Sequence, residues 1–367
     1  MAQSSITTDT YVTTENMVKD RGGITTYSGE LPASAGTAYK KGDTLVSNIR
    51  PYLQKIWLAD RDGACSKDVL VFRSINTDSL LPEFLHLLLW QKDFFDYDMS
   101  TFTGTGRPRG DKDELLKYPI PVPTLSEQRA LIDDFNRLTD EINSKRQQIA
   151  ALKESVKSRF VEVFGDPVDG KKWPFVRLED LCTKLGSGAT PRGGKTAYKA
   201  EGVPLVRSTN VHNGRFVWKD LACIDDEQAA KLEGVTLMKG DVLLNITGAS
   251  VARSCLLPDE LAGGRVNQHV SIVRVDQKRM LPVLLNTVLI SDSYQRLLLN
   301  GSRAAGATRE AITKEALKRM TVPLPPLELQ QEFASFVAQV DKSQFALEQE
   351  VDALSAERDA LLDRFLA

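Results

Sequence analysis

Two stretches of this chain follow one plan. Residues 118–164 read YPIPVPTLSEQRALIDDFNRLTDEINSKRQQIAALKESVKSRFVEVF, and residues 320–367 read MTVPLPPLELQQEFASFVAQVDKSQFALEQEVDALSAERDALLDRFLA. Each opens on a Pro-rich, strand-like lead, passes a Leu-x-x-Gln turn and continues as one long helix-periodic run. Pro121, Pro123, Leu125 and Gln128 recur as Pro323, Pro325, Leu327 and Gln330, a shift of 202 positions that holds without a gap to the chain end. A duplication of this length confines the fold to architectures built from two like units.

The runs are heptads. In the first, one seam position holds Phe135, Ile142, Ile149 and Val156 and the other holds Leu131, Leu138, Lys145 and Leu152. In the second, the same phases give Val337, Gln344, Val351 and Arg358, then Phe333, Val340, Leu347, Leu354 and Leu361. An apolar repeat of 3.5 residues over such a length favours a coiled coil over two separate amphipathic surface helices. About 35 helical residues make a rod of ~50 Å. Two matching rods related by a pseudo-twofold are expected to pair antiparallel within one chain.

At 367 residues the chain has room for two or three domains. No run of 18 apolar residues is present, so no membrane-spanning helix is expected. MAQSSITTDTYV lacks the basic start and apolar core of a signal peptide. Cys65, Cys182, Cys223 and Cys255 are scattered and, with three scattered histidines, form no metal-ligand spacing; reduced thiols in a cytoplasmic protein are expected. The net charge of −2 hides a division: residues 1–118 sum to −2, 119–166 to −1, 167–325 to +7 and 326–367 to −6. A locally basic domain is what a phosphate-binding surface requires, although +7 over that length is moderate.

The segments before the two rods also repeat, more loosely. YVTTENM (11–17) corresponds to LVRSTNV (205–211), and the K-G-D stretch from residue 40 to MKGDVLLNITGASVARSCLL (238–257). SKDVLVFR (66–73) corresponds to NQHVSIVR (267–274), and the helix-like LLPEFLHLLLWQKDFFDYDM (80–99) to MLPVLLNTVLISDSYQRLLL (280–299). A Gly-rich basic loop follows in each. Residues 173–204 have no counterpart, so the first copy is about thirty residues short at its N-terminal end. The expected boundaries are 1–118 and 167–319 for the globular domains, and 119–166 and 320–367 for the leads and rods.

This order of motifs carries a resemblance. W-x-x-V-x-L-x-x-L with G-S-G-x-T-P, then K-G-D-x-L, a basic Gly-rich loop, P-x-P-x-L-x-x-Q and a long helix, mostly duplicated, resembles the specificity subunit of type I restriction–modification enzymes over nearly the whole chain. The resemblance implies an α+β fold: two globular mixed α/β target recognition domains joined by two long antiparallel coiled-coil helices, with an internal pseudo-twofold repeat. It implies that each domain reads one half of a bipartite double-stranded DNA site, and that the helices dock methyltransferase (M) subunits and, where present, restriction (R) subunits. It implies a non-catalytic chain without a cofactor of its own. S-adenosylmethionine, ATP and Mg would belong to the partners. The strut would then fix the unread gap, with half-sites roughly one turn of DNA, ~34–36 Å, apart.

The Gly-rich loops supply the first DNA-contacting candidates: Arg107, Arg109 and Lys112 in the first copy, Arg303 and Arg309 in the second. Glycine lets backbone approach phosphate, and arginine can bridge O6 and N7 of guanine, although each residue could equally be a solvated loop charge. Further candidates are Arg50, Arg192, Lys195, Tyr198, Arg207, Arg253 and Asn210. Asn210 can read adenine in two-point fashion or can be a turn residue. The helix-pairing candidates are Leu131, Phe135, Leu138, Ile142, Ile149, Leu152, Val156, Phe333, Val337, Val340, Leu347, Val351, Leu354 and Leu361.

Three enzymatic readings fail on spacing. GSGATPRGGKT has Ala189 where a P-loop needs glycine. Asp259, Asp276 and Lys278 mimic a nuclease carboxylate pair, but Ile75 stands at the matching position of the first copy. No Asn-Pro dipeptide exists for an adenine methyltransferase tetrapeptide. The competing non-enzymatic reading is a two-rod scaffold without a DNA role, which the rods alone would satisfy.

Overall fold

A computed structural model describes residues 6–32, 36–102, 108–303 and 311–366, without the side chains of 302–303 and 364–366. It divides into two compact units: residues 1–147 with 347–367, and residues 148–346. Two 40-residue helices, Leu125–Phe164 (the first rod) and Leu327–Leu366 (the second rod), each contribute one half to either unit. At 1.5 Å per residue each is ~60 Å long.

Unit 1 has two three-stranded sheets, in the order Tyr11–Val12, Gly63–Cys65, Thr37–Tyr39 and the order Ile56–Leu58, Thr44–Ser47, Val69–Phe72. Helices Pro82–Trp90 and Lys92–Ser100 cover the second sheet, burying Val46, Ile56, Leu85, Phe94 and Phe95. Unit 2 repeats this with more material. Ser254–Leu256, Val242–Asn245, Val270–Val275 and Cys182–Ser187 form a four-stranded sheet, and Pro282–Ile290 and Asp292–Arg303 are the helices. The periodic run after each strand is thus two helices, not one. Gln91 and Ser291 break it with extended backbone, ψ 154° and 148°. Pro82 and Pro282 sit in the first turn, where a missing N–H costs nothing.

Both K-G-D turns have one physical basis. Gly42 and Gly240 adopt φ +87° and +80°, which side chains rarely tolerate. The next residue turns inward: Asp43 accepts the Lys40 N–H (2.7 Å) and Asp241 the Met238 N–H (2.8 Å). Each then binds an arginine in two-point fashion, Asp43 with Arg73 and Asp241 with Arg274. Burial pushes the Asp43 carboxyl up, but Arg73 and the Lys40 N–H outweigh it and hold it below the usual range.

The rods begin at a buried glutamine. Gln128 accepts the Leu81 N–H (2.8 Å) and donates to the carbonyls of Ser79 (2.7 Å) and Pro123 (2.9 Å). Gln330 does the same with Leu281 N–H (2.7 Å), Arg279 (3.0 Å) and Pro325 (2.8 Å). Each glutamine therefore ties three backbone groups: the entry to a covering helix and the lead of the rod itself.

Within each unit the rod halves run antiparallel. In unit 1, Leu131 and Phe135 share a core cluster with Leu361 and Leu362, and Lys145 pairs with Glu350 (2.5 Å). In unit 2, Phe160 and Phe164 meet Phe333, with ring centroids 6.0 and 5.4 Å apart. Leu131, Phe135, Leu138, Ile142, Phe333, Val337 and Val340 are buried; Ile149, Leu152, Val156, Leu347, Val351, Leu354 and Leu361 are half-buried. Arg358, a polar seam residue, lies over the Trp90 ring (4.6 Å to the centroid), and Arg21 also lies over Trp90, at 4.2 Å. Cation–π contact accounts for a charge in that seam. All four cysteines are free, and among the described residues no helix is long and apolar enough to cross a membrane.

Gln330→Met and Gln128→Met should each destabilise the protein by about 2–4 kcal/mol, because each leaves a buried N–H and two carbonyls unpaired. Urea unfolding of the full chain checks this. Gln331→Met, on the exposed face, should stay within about 0.5 kcal/mol of the parent.

Candidate nucleic-acid interface

In each unit the segment that follows the second covering helix returns to the end of a sheet strand. In unit 1, Ile49 bridges Arg109 and the Arg50 N–H donates to the Pro108 carbonyl (2.8 Å). In unit 2, Thr247 bridges Ala311 and the Ile312 N–H donates to the Ile246 carbonyl (2.8 Å). Pro108–Arg109 and Ala311–Ile312, which follow the Gly-rich segments in sequence, are therefore anchored at equivalent places.

The chemistry at those anchors differs. Arg50 opens a short 3-10 turn, Pro51–Leu53, with φ 54°; in unit 2 Gly248 opens Gly248–Ser250 with φ 78°. Unit 1 thus keeps an exposed arginine in left-handed backbone where unit 2 uses glycine. Arg109 is exposed and pairs with Asp68, whereas unit 2 has Ala311 and His269 there, with His269 Nδ1 2.7 Å from Thr247 Oγ1. Tyr52 is half exposed beside Arg50. Lys55 donates to the Thr14 carbonyl (2.6 Å), and burial, then the Arg50 charge, lowers its pKa.

Lys112 is exposed at the start of the turn Lys112–Leu115. Arg192 and Lys195 are exposed around the 3-10 turn Gly194–Ala197, which Gly193 enters at φ +92°. That stretch leads into no α-helix, in keeping with its failure as a P-loop. Tyr198 and Arg207 are half-buried together, the guanidinium 5.4 Å from the ring centroid, and Arg207 also donates to the Asp220 carbonyl.

Asn210 is the turn residue of its two readings. Its side chain is fully buried, accepts the Arg207 N–H (3.1 Å) and donates to the carbonyls of Val217 (2.8 Å) and Lys219 (3.3 Å). Both amide hydrogens and one lone pair of the oxygen are thereby committed to backbone. Asn16 performs the same task in unit 1, with Thr13, Tyr11 and Thr25. Arg107 and Arg309 lie outside the described residues, as does the side chain of Arg303, whose backbone ends the helix Asp292–Arg303.

Two features escaped the sequence reading. The Asn213-Gly214 pair closes a two-stranded hairpin, Val211–His212 with Arg215–Phe216, a turn signal visible in the letters. It brings His212 near Arg215 and Arg253; burial first, then both arginine charges, lower the His212 pKa. Arg253 is half-buried, and beyond the hairpin Trp218 stands half exposed against Phe216. The second feature is Asp98 in unit 1. It is fully buried, neither carboxylate oxygen has a hydrogen-bond partner among the described residues, and burial raises its pKa to about 7. Unit 2 has the buried Leu298 at the matching position. Among the described residues no group of histidines, cysteines or carboxylates could hold a metal ion, and Asp259 of the nuclease-like pattern is paired with Lys239 (3.1 Å).

A sequence model of the type I restriction modification DNA specificity domain matches residues 7–154 and again 170–354. The chain therefore belongs to the type I restriction–modification specificity family. It is 25% identical over 261 residues to the MjaVIII specificity subunit of Methanocaldococcus jannaschii, a match covering 65% of this chain and 59% of that one. It is 22% identical over 274 residues to the EcoKI specificity subunit of Escherichia coli, covering 68% and 56%. The matched stretches thus span less than two thirds of those relatives. In fold it resembles a chain from a structure of type I R-M system assembly and conformational transition: TM-score 0.58, 24% identity, 98% of this chain and 91% of that one. It also resembles the S subunit of a type I restriction–modification system from M. genitalium: TM-score 0.56, 14% identity, 100% and 91%.

Asp98 sets a pH dependence. An acid whose folded pKa exceeds its unfolded value costs nothing below the unfolded value, 3.8, and its penalty grows until pH passes the folded value near 7. From about pH 5 to about pH 8 the parent should lose roughly 2–3 kcal/mol more stability than Asp98→Leu. Denaturant unfolding of both proteins at the two pH values measures it.

Proposed function

We propose that this chain is the DNA sequence-specificity subunit of a type I restriction–modification complex, reading a bipartite double-stranded site with one half assigned to each unit. The observation that carries the reading is the doubled anchor: the residues that follow the Gly-rich basic segment, Pro108–Arg109 and Ala311–Ile312, join equivalent strand ends in the two units, with different side chains around them. Arg50, Arg109 and Tyr52 stand where unit 2 has Gly248, Ala311 and Ser250 or its neighbours. A shared frame with unlike surfaces suits two readers of different half-sites.

Arg50 adds support. A non-glycine residue in left-handed backbone costs about 1–2 kcal/mol, so the side chain is retained against its backbone preference. Arg109, Lys112, Arg192 and Lys195 are exposed enough to reach phosphate or base edges. The rods are assigned to docking M subunits and, where present, R subunits. The chain itself is taken as non-catalytic and without a cofactor; methyl transfer with S-adenosylmethionine and ATP- and Mg-dependent steps fall to the partners. A cytoplasmic location follows from that role.

Methylome sequencing of a host carrying the chain with its neighbouring M subunit tests the reading. A new bipartite methyladenine motif is expected; its absence, with the M subunit shown to bind, would leave a scaffold instead. Arg50→Gly should raise unfolding free energy by up to about 1 kcal/mol while weakening binding. Fluorescence anisotropy of the assembled complex, with duplexes altered in one half-site at a time, should place that loss on the half-site of unit 1 alone.

A further inference from the structure

Three positions close the same joint in both units and differ in kind at all three. In unit 2, Ile246 follows the strand Val242–Asn245, Leu298 comes from the second covering helix and Ile312 from the anchored segment. All three belong to one apolar cluster, and the Ile312 N–H donates to the Ile246 carbonyl (2.8 Å). Unit 1 has Asn48, Asp98 and Gly110 at these places. The backbone frame is the same: the Asn48 N–H donates to the Asp68 carbonyl (2.8 Å) as the Ile246 N–H does to that of His269 (3.0 Å). Replacing one apolar residue by a polar one strands a buried group; replacing all three at one joint lets polar groups face one another.

Gly110 makes the room. A β-carbon there would lie 1.7 Å from Asp98 Oδ1 and 3.2 Å from Asn48 Oδ1, so both oxygens border the space that a side chain at this position would take. Asp98 and Asn48 are both buried, and among the described residues neither Asp98 carboxylate oxygen nor Asn48 Oδ1 has a hydrogen-bond partner. Two acceptors share this space, and only the carboxyl group can carry a proton to join them. Burial favours the neutral acid as well, lifting its pKa to about 7. The charged groups on the surrounding elements are engaged elsewhere or exposed. Arg109 pairs with Asp68, Lys117 with Glu114 and Lys92 with Asp96, while Asp111 accepts the N–H groups of Asp113 and Glu114. Lys55 donates to the Thr14 carbonyl, His86 lies beside Thr44 (3.4 Å), and Arg50, Asp93 and Lys112 are exposed.

We propose that Asp98 is a positioning residue of unit 1: it stands as the neutral acid, its hydroxyl donates to Asn48 Oδ1, and this shared proton holds residues 108–111 against the strand end at residues 48–50. A second link joins the same parts. The Thr101 hydroxyl donates to the Asp98 carbonyl (2.8 Å) and accepts the Asp111 N–H (3.0 Å). Residue 98 thus meets the anchored segment with its side chain at Gly110 and, through Thr101, with its backbone at Asp111. When the proton leaves to solvent, a carboxylate faces a carbonyl oxygen in a buried space, and repulsion replaces the hydrogen bond. The joint then loosens where the Arg50 N–H meets the Pro108 carbonyl and Ile49 bridges Arg109. Ile246, Leu298 and Ile312 hold no proton, so unit 2 has no such joint. For DNA the consequence rests on the recognition reading: the half-site of unit 1 is bound less tightly as pH rises through about 7.

The test compares the full chain with Asp98→Asn, whose amide donates to Asn48 without titrating. Their infrared difference spectrum should show a protonated carboxyl band at about pH 6 that is gone by about pH 8.5. Over that interval the Arg50 amide of the parent should lose about tenfold of its protection against hydrogen exchange, and that of Asp98→Asn should keep it. The triple variant Asn48→Ile, Asp98→Leu, Gly110→Ile, which copies unit 2, should keep it too. In the assembled complex, affinity for the half-site of unit 1 should fall about tenfold further in the parent than in Asp98→Asn across the same interval. No carboxyl band at the lower pH, a loss of protection that persists in Asp98→Asn, or an equal pH response of DNA binding in parent and variant would overturn the proposal. A complex that binds no DNA sinks the recognition reading instead, and the infrared and exchange results still decide the state of Asp98.

Discussion

The position of each rod depends on one buried amide. Gln128 and Gln330 are the first fully buried residues of their helices, and each uses both ends of its side chain on backbone. Buried backbone groups need partners, and at these places no strand or helix supplies them. The proline-rich leads explain why. Pro119, Pro121 and Pro123, with Pro323, Pro325 and Pro326, cannot donate, so the carbonyls and N–H groups around the leads are left for a side chain. A glutamine reaching across from the first turn of the rod satisfies three of them at once and fixes where the helix leaves the domain.

Much of this frame was legible because it is periodic or duplicated. The rods showed as heptads, and the gapless shift of 202 positions paired them before any coordinate was known. Antiparallel pairing within each unit followed from the repeat. The K-G-D turns were visible as recurrent letters; that Asp43 and Asp241 face inward to arginines 30 and 33 residues later was not, because ion pairing at that separation leaves no local pattern. The break at Gln91 was likewise hidden. Its neighbours keep helical spacing on both sides, and only tertiary packing of Phe94 and Phe95 selects the extended residue between them.

The interface was less legible than the frame. Residue type left Asn210 open as a base reader or a turn residue; its three hydrogen bonds go to nearby backbone, as do those of Asn16. A side chain that repeats in both units at a turn is explained by backbone, not by ligand. The opposite holds for Arg50 and Gly248. Both have positive φ and they differ in side chain, so backbone need accounts for the glycine and cannot account for the arginine.

Comparison of the units therefore separates constraint from freedom residue by residue. Positions that answer to the scaffold match in kind: Asp43 with Asp241, Asn16 with Asn210, Gln128 with Gln330, Pro82 with Pro282. Positions around the anchor residues, all at least partly exposed, do not: Arg50 with Gly248, Arg109 with Ala311, Asp68 with His269. Asp98 against Leu298 fits neither group, being buried and unlike. A buried carboxylate with no partner among the described residues destabilises unit 1 as pH rises, and Ile75, Leu116 and Val122 are exposed in that same unit. Unit 2 has Leu298 and the strand Cys182–Ser187 at the corresponding places, so among the described residues the two halves share a frame and differ in what packs on it.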